Sequence, residues 1–122
     1  MRDVVIHVCV TCRREADDPD ATRAGARLHA ALGLSLTGRH ALQPVECLGT
    51  CRRSCSVALS APGAWTYVFG DLDPADHQDV ATAANLLAAS PDGVMPWRGR
   101  PEAMKRGMVA RIPPPHLKDA AE

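Results

Sequence analysis

Cys47-Leu48-Gly49-Thr50-Cys51-Arg52-Arg53-Ser54-Cys55 places three cysteines at steps of three intervening residues. It answers an earlier pair, Cys9-Val10-Thr11-Cys12-Arg13-Arg14. These two segments hold all 5 cysteines of the chain. A thiol used only for packing goes wherever a core needs a small hydrophobe, so two tight groups are not a packing pattern. Thiolates from separate loops converging on one point are what a soft metal centre requires.

The flanking sequence explains how the two groups meet. Val4-Val5-Ile6-His7-Val8 is a β-branched run that reads as a buried strand ending at Cys9. His7 within it reads as a hydrogen-bonded core or edge histidine rather than a ligand. Asp18-Pro19 has the cap-then-proline signature of a helix start, and Ala24, Leu28, Ala31 and Leu32 supply an apolar face before Gly33 closes the helix. Ala41 to Glu46 reads as a second strand that delivers its end to Cys47, with Pro44 marking it as an edge. Ser56–Ser60 and Trp65–Phe69 form a hairpin around Ala61-Pro62-Gly63. Asp73-Pro74 repeats the cap signal, and Val80, Ala83, Ala84 and Leu87 stripe a second helix.

Strand, helix, strand, hairpin, helix is the order of a compact thioredoxin-like α/β layer structure with about four strands and two main helices. The first strand–helix–strand unit is a parallel crossover, which sets the ends carrying Cys9 and Cys47 side by side. Residues 1–90 are read as this domain. Residues 91–122 are read as a basic, Pro-rich C-terminal extension with a short helix over Glu102–Val109, packed on the domain or on a partner.

Composition narrows the function. The formal charge is zero, which gives no reason to expect nucleic acid or an acidic membrane. No apolar run reaches a membrane span, and the first residues make a poor signal peptide, so a cytoplasmic location is expected. In that reducing compartment metal or redox work is favoured over structural disulfides, and an odd cysteine count opposes full pairing. There is no phosphate loop, nucleophile motif or histidine–carboxylate pattern, and His29 and His77 read as solvated helix positions. A conventional enzyme is therefore not expected.

The residues around Pro44-Val45-Glu46-Cys47-Leu48-Gly49-Thr50-Cys51 resemble the second ligand segment of thioredoxin-like [2Fe-2S] ferredoxins and of the matching small subunit of NADH dehydrogenase. That resemblance implies a [2Fe-2S] cluster held by Cys9, Cys12, Cys47 and Cys51, and a ferredoxin-like electron carrier with a protein redox partner. It also leaves room for a homodimer. The early spacing is tighter than in those ferredoxins, and Cys55 stands where they commonly carry a proline. This makes Cys55 an alternative ligand beside Cys9. Nearly the whole chain, including Trp65 to Leu72 and Pro96-Trp97-Arg98, resembles a family of small bacterial proteins of unknown function labelled as predicted metal-binding. Some of its members accompany cobalamin-biosynthesis proteins.

On the residues alone, three other readings stay open. One is a zinc- or cobalt-binding structural protein, although four-cysteine zinc sites usually have short loops in both halves. Another is a dithiol redox protein using Cys9 and Cys12. The third is a protein that delivers metal or cluster, with Cys55 as an exchangeable ligand. Gly49 is expected to adopt positive φ between two ligands. The arginine pairs Arg13-Arg14 and Arg52-Arg53 are expected to offset cluster charge, to dock an acidic partner, or to be solvated.

Overall fold

Valine, isoleucine and aromatic residues alternating with smaller ones build the sheet on which everything else is hung. A computed structural model describes residues 2–11, 22–36, 40–49 and 53–114. The strands are β1 (Val5–Cys9), β2 (Ala41–Val45), β3 (Val57–Ser60), β4 (Thr66–Phe69) and β5 (Met108–Ile112). The helices are α1 (Ala24–Ser35), α2 (His77–Ala89) and α3 (Glu102–Arg106). The sheet order is β2-β1-β3-β4-β5, with β1 and β2 parallel and every other pairing antiparallel.

Cross-strand register puts Ile6 beside Leu59 and Val8 beside Val57, and continues through Leu59–Tyr67 and Val57–Phe69. Partners in register share a face. These six side chains are all buried, in one apolar cluster with Leu28 and Leu32 of α1 and Val80, Ala83, Ala84 and Leu87 of α2. Burying each large aliphatic side chain contributes about 1.5–3 kcal/mol, so this layer is what holds the helices to the sheet. The thioredoxin-like α/β layer expected from the sequence is present.

The second helix begins as its residues dictate. The Asp73 carboxylate accepts the Ala75 N–H and the Asp76 carboxylate accepts the Asp73 N–H, a capping box over a 3-10 turn at Pro74–Asp76 that leads into α2.

Three details differ from the sequence reading. Helix α1 starts at Ala24, after an extended Arg23, while Asp18-Pro19 lies outside the described residues. The helix also runs through Gly33 to Ser35, where the Ser35 hydroxyl donates to the Ala31 carbonyl at 2.9 Å and meets His77 Nδ1 at 2.6 Å. His77 is therefore a half-buried tie between α1 and α2 rather than a solvated surface group, and this packing outweighs the roughly 1 kcal/mol helical cost of a glycine.

The sheet has one strand more than the reading counts. Met108 and Val109, expected in a helix, belong to β5, because Gly107 ends α3 and the open edge of β4 supplies a hydrogen-bonding partner. Met95, Ala103 and Met104, all beyond Pro91, are buried in the same core.

Candidate metal centre

The parallel ladder between β1 and β2 makes Cys9 and Val45 Cα partners, and the next rung is the Val10 N–H bonded to the Val45 carbonyl at 2.9 Å. The chains then run on together. The Glu46 carbonyl accepts from the Cys9 thiol at 3.5 Å and also from the Thr11 hydroxyl. Cys47 is thus the residue after the carbonyl that holds Cys9. On its other flank Cys9 donates its N–H to the Ser56 carbonyl at 3.2 Å, one residue past Cys55. Three chain segments, 9–11, 45–49 and 53–56, lie side by side at one end of the sheet.

Within the second segment Gly49 has φ +80°, as its position between two cysteines leads one to expect, and its N–H points at Cys47 Sγ at 3.2 Å. Such N–H···S bonds stabilise negative charge on sulfur and tune the potential of thiolate-bound metal centres. Cys47 is exposed, whereas Cys9 is buried. Cys12 and Cys51, expected as the partners of Cys9 and Cys47, lie outside the described residues. Among the described residues no group of three or more potential ligands is assembled.

Cys55 is held in the core. Its peptide bond to Ser54 is cis, and it exchanges both backbone bonds with Leu72, N to O at 3.0 Å and O to N at 3.2 Å. Its side chain is fully buried in the apolar cluster with Val8, Val57 and Leu72. Cys9 follows Val8 on the strand, so it turns to the opposite side of the sheet.

Of the four arginines that follow the cysteines, Arg53 is described, and its Nε donates to Asp71 Oδ2 at 2.8 Å. It is a partly exposed arginine whose charge is matched by a carboxylate. Among the described residues, a cation that reaches a cysteine loop is Arg23, whose Nη1 donates to the Thr11 carbonyl at 2.7 Å. Sequence reading missed Arg23 and Thr11. Thr11 could have been suspected from its place between two cysteines, but nothing local marks Arg23.

A family model described as "Protein of unknown function (DUF1636)" matches residues 6–114. The chain belongs to that family. The DUF1636 chain is also similar to solved structures of a thioredoxin-like [2Fe-2S] ferredoxin from Aquifex aeolicus. One is 16% identical, has a TM-score of 0.60, and covers 97% of this chain and 100% of its own. A second, the wild type, is 16% identical with a TM-score of 0.55, covering 90% and 99%. A cysteine-to-serine variant of it is 16% identical with a TM-score of 0.58, covering 88% and 98%. At that identity the likeness is one of fold. None of the curated proteins compared with the chain matches it. No helix among the described residues is long and apolar enough to cross a membrane.

Proposed function

We propose that this protein binds a [2Fe-2S] cluster through Cys9, Cys12, Cys47 and Cys51 and serves as a ferredoxin-like electron carrier in the cytoplasm, not as a conventional enzyme. The observation that carries the reading is the shared Glu46 carbonyl, which ties the Cys9 thiol to the residue before Cys47 on a fold shared with [2Fe-2S] ferredoxins. The donor chemistry fits the group: soft sulfurs, a backbone N–H aimed at one of them, and a parallel strand pair bringing both segments to one edge. When bound, such a cluster supplies reversible one-electron transfer.

The residues of the chain do the rest. Gly49 orients Cys47 and offsets charge on its sulfur. Thr11 and Arg23 hold the first cysteine loop against the start of α1. The burial of Cys9 limits water on one side, while the exposure of Cys47 leaves a route to a protein redox partner. The resemblance to proteins found beside cobalamin biosynthesis suggests where that partner works.

Anaerobic purification tests this. The expected protein is red-brown, with iron and acid-labile sulfide at about two each per chain, and Cys47→Ser or Cys51→Ser abolishes or grossly alters the visible absorption. Stoichiometric zinc or cobalt in place of iron and sulfide, or a colourless protein with an exchange-active Cys9–Cys12 dithiol, would overturn the reading.

A further inference from the structure

A second site is built at the opposite end of the chain, from residues that the cluster reading does not use. Arg100 is only 7% exposed. Its Nη2 donates to the Met95 carbonyl at 2.8 Å, its Nε to the Pro96 carbonyl at 3.3 Å, and its Nη1 reaches Met108 Sδ at 3.6 Å. Its guanidinium lies 5.0 Å from the centre of the Trp97 ring and 5.7 Å from that of Tyr67. Every one of these neighbours is neutral, and no carboxylate among the described residues pairs with it. The guanidinium retains N–H groups beyond those three bonds.

A buried charge with no counterion is costly, and an anion brought to it recovers that cost. Burial, and after it the like charge of Arg111, lower the Arg100 pKa from its ordinary value, while Tyr67 acts in the other direction.

Arg111 is the cross-strand partner of Tyr67 and stacks on Trp65 at 4.6 Å. Arg100 and Arg111 both line a cavity of about 400 Å³ whose other walls include Val94, Pro96, Trp97 and Met108. That volume falls in the range of small-molecule sites. Lys105 sits over the Trp97 ring at 5.3 Å, adding positive charge nearby. Trp97 itself is 58% exposed, so part of its flat apolar surface stays open beside these two cations.

We propose that this cavity binds a small organic carboxylate with a flat apolar body. The body lies against Trp97, Pro96 and Met108, and the carboxylate meets Arg100 and Arg111. A planar guanidinium matches a carboxylate in shape and charge. The largely apolar walls favour an organic anion over a bare inorganic one.

Both tryptophans stack against arginines of the site, so their fluorescence, backed by titration calorimetry, reads the event on the full chain. Benzoate is the probe, with benzamide as its neutral counterpart and inorganic phosphate as the bare anion. The expected result is a saturable response to benzoate, at least about tenfold weaker binding of benzamide and of phosphate, and at least about fivefold weaker benzoate binding in Arg111→Gln. Arg111 is exposed on an edge strand, so its replacement keeps the fold. Arg100→Gln should abolish binding, and if that chain fails to fold the Arg111 variant decides. No saturable response up to about 10 mM benzoate, equal binding of benzamide or phosphate, or an unchanged affinity in Arg111→Gln would overturn the proposal and leave Arg100 as a clamp on the 95–96 segment.

Discussion

Asp71 receives the Arg53 guanidinium at 2.8 Å and donates its own N–H to the Arg53 carbonyl at 2.6 Å. It does so with φ +57°, a left-handed conformation that few residues other than glycine, asparagine and aspartate accept. The pair pins the segment that leads into Cys55 to the end of β4. Because both side chains are partly exposed, the ion pair itself contributes less than about 1 kcal/mol. Asp71→Asn should therefore cost under about 1 kcal/mol in urea unfolding. Asp71→Val, which must enter the same backbone region with a branched side chain, should cost about 1–3 kcal/mol.

Gly70 precedes this pair and is needed for close approach. A Cβ there would lie 2.6 Å from the Arg53 carbonyl oxygen, and backbone cannot step aside as a flexible side chain would. Gly70→Ala should destabilise by about 1–3 kcal/mol. Gly63, with φ +71° and open space around it, gives the contrast: Gly63→Ala should cost about 1 kcal/mol from conformation alone. Equal losses in the two variants would show that the contact with Arg53 is not what requires glycine.

Met104 of α3 is fully buried in the common core. Met104→Ala should lower the unfolding free energy by about 2–5 kcal/mol. It should do so in a single transition shared by far-UV circular dichroism and tryptophan fluorescence. Separate transitions would mean that the residues after Pro91 fold apart from the rest.

The Ser90–Val94 turn makes stability depend on acid. Asp92 Oδ1 lies 2.7 Å from the Ser90 hydroxyl and accepts the Val94 N–H at 3.1 Å. These bonds, that to Ser90 first, lower the Asp92 pKa from its ordinary value. The folded state thus prefers the ionised form, and the stabilisation is complete above the unfolded pKa and lost as pH falls through the lowered folded value. Below about pH 4 the gap in urea midpoint between the wild type and Asp92→Asn should narrow, and above about pH 5 it should be constant.

Cys55 offers a direct check on the ligand set. Its side chain packs in the apolar core, so Cys55→Ala should cost about 1–2 kcal/mol. On the proposed reading it should leave the visible spectrum of the cluster unchanged. Loss of the chromophore would return Cys55 to the ligand set.

Much of this was legible because the signals were local. The β-branched run before Cys9, the Asp73–Asp76 cap and the Val80–Leu87 stripe each specify their element within a few residues. The neighbouring positions of Cys9 and Cys47 followed from the crossover order. What was not legible depends on distant partners. Met108–Ile112 is a strand because β4 offers a vacant edge some forty residues earlier, and α1 outlasts Gly33 because His77 meets Ser35. The burial of Cys55 and of Arg100 is likewise decided by what packs over them, which no nearby pattern announces.

Pro44, on the outer strand β2, has a further consequence. Ala41 and Val45 direct their polar backbone groups inward to β1, so Leu42 and Pro44 direct theirs outward. Pro44 has no N–H to offer, and its carbonyl is already approached by the Gln43 side-chain amide at 3.4 Å. At the far side of the sheet, β5 is followed at once by Pro113-Pro114. Both margins are thereby blunted against templated growth into fibrils, and a β-strand from another molecule finds little backbone to zip onto. Assembly by strand addition at these margins is thereby disfavoured relative to contacts through the faces and loops.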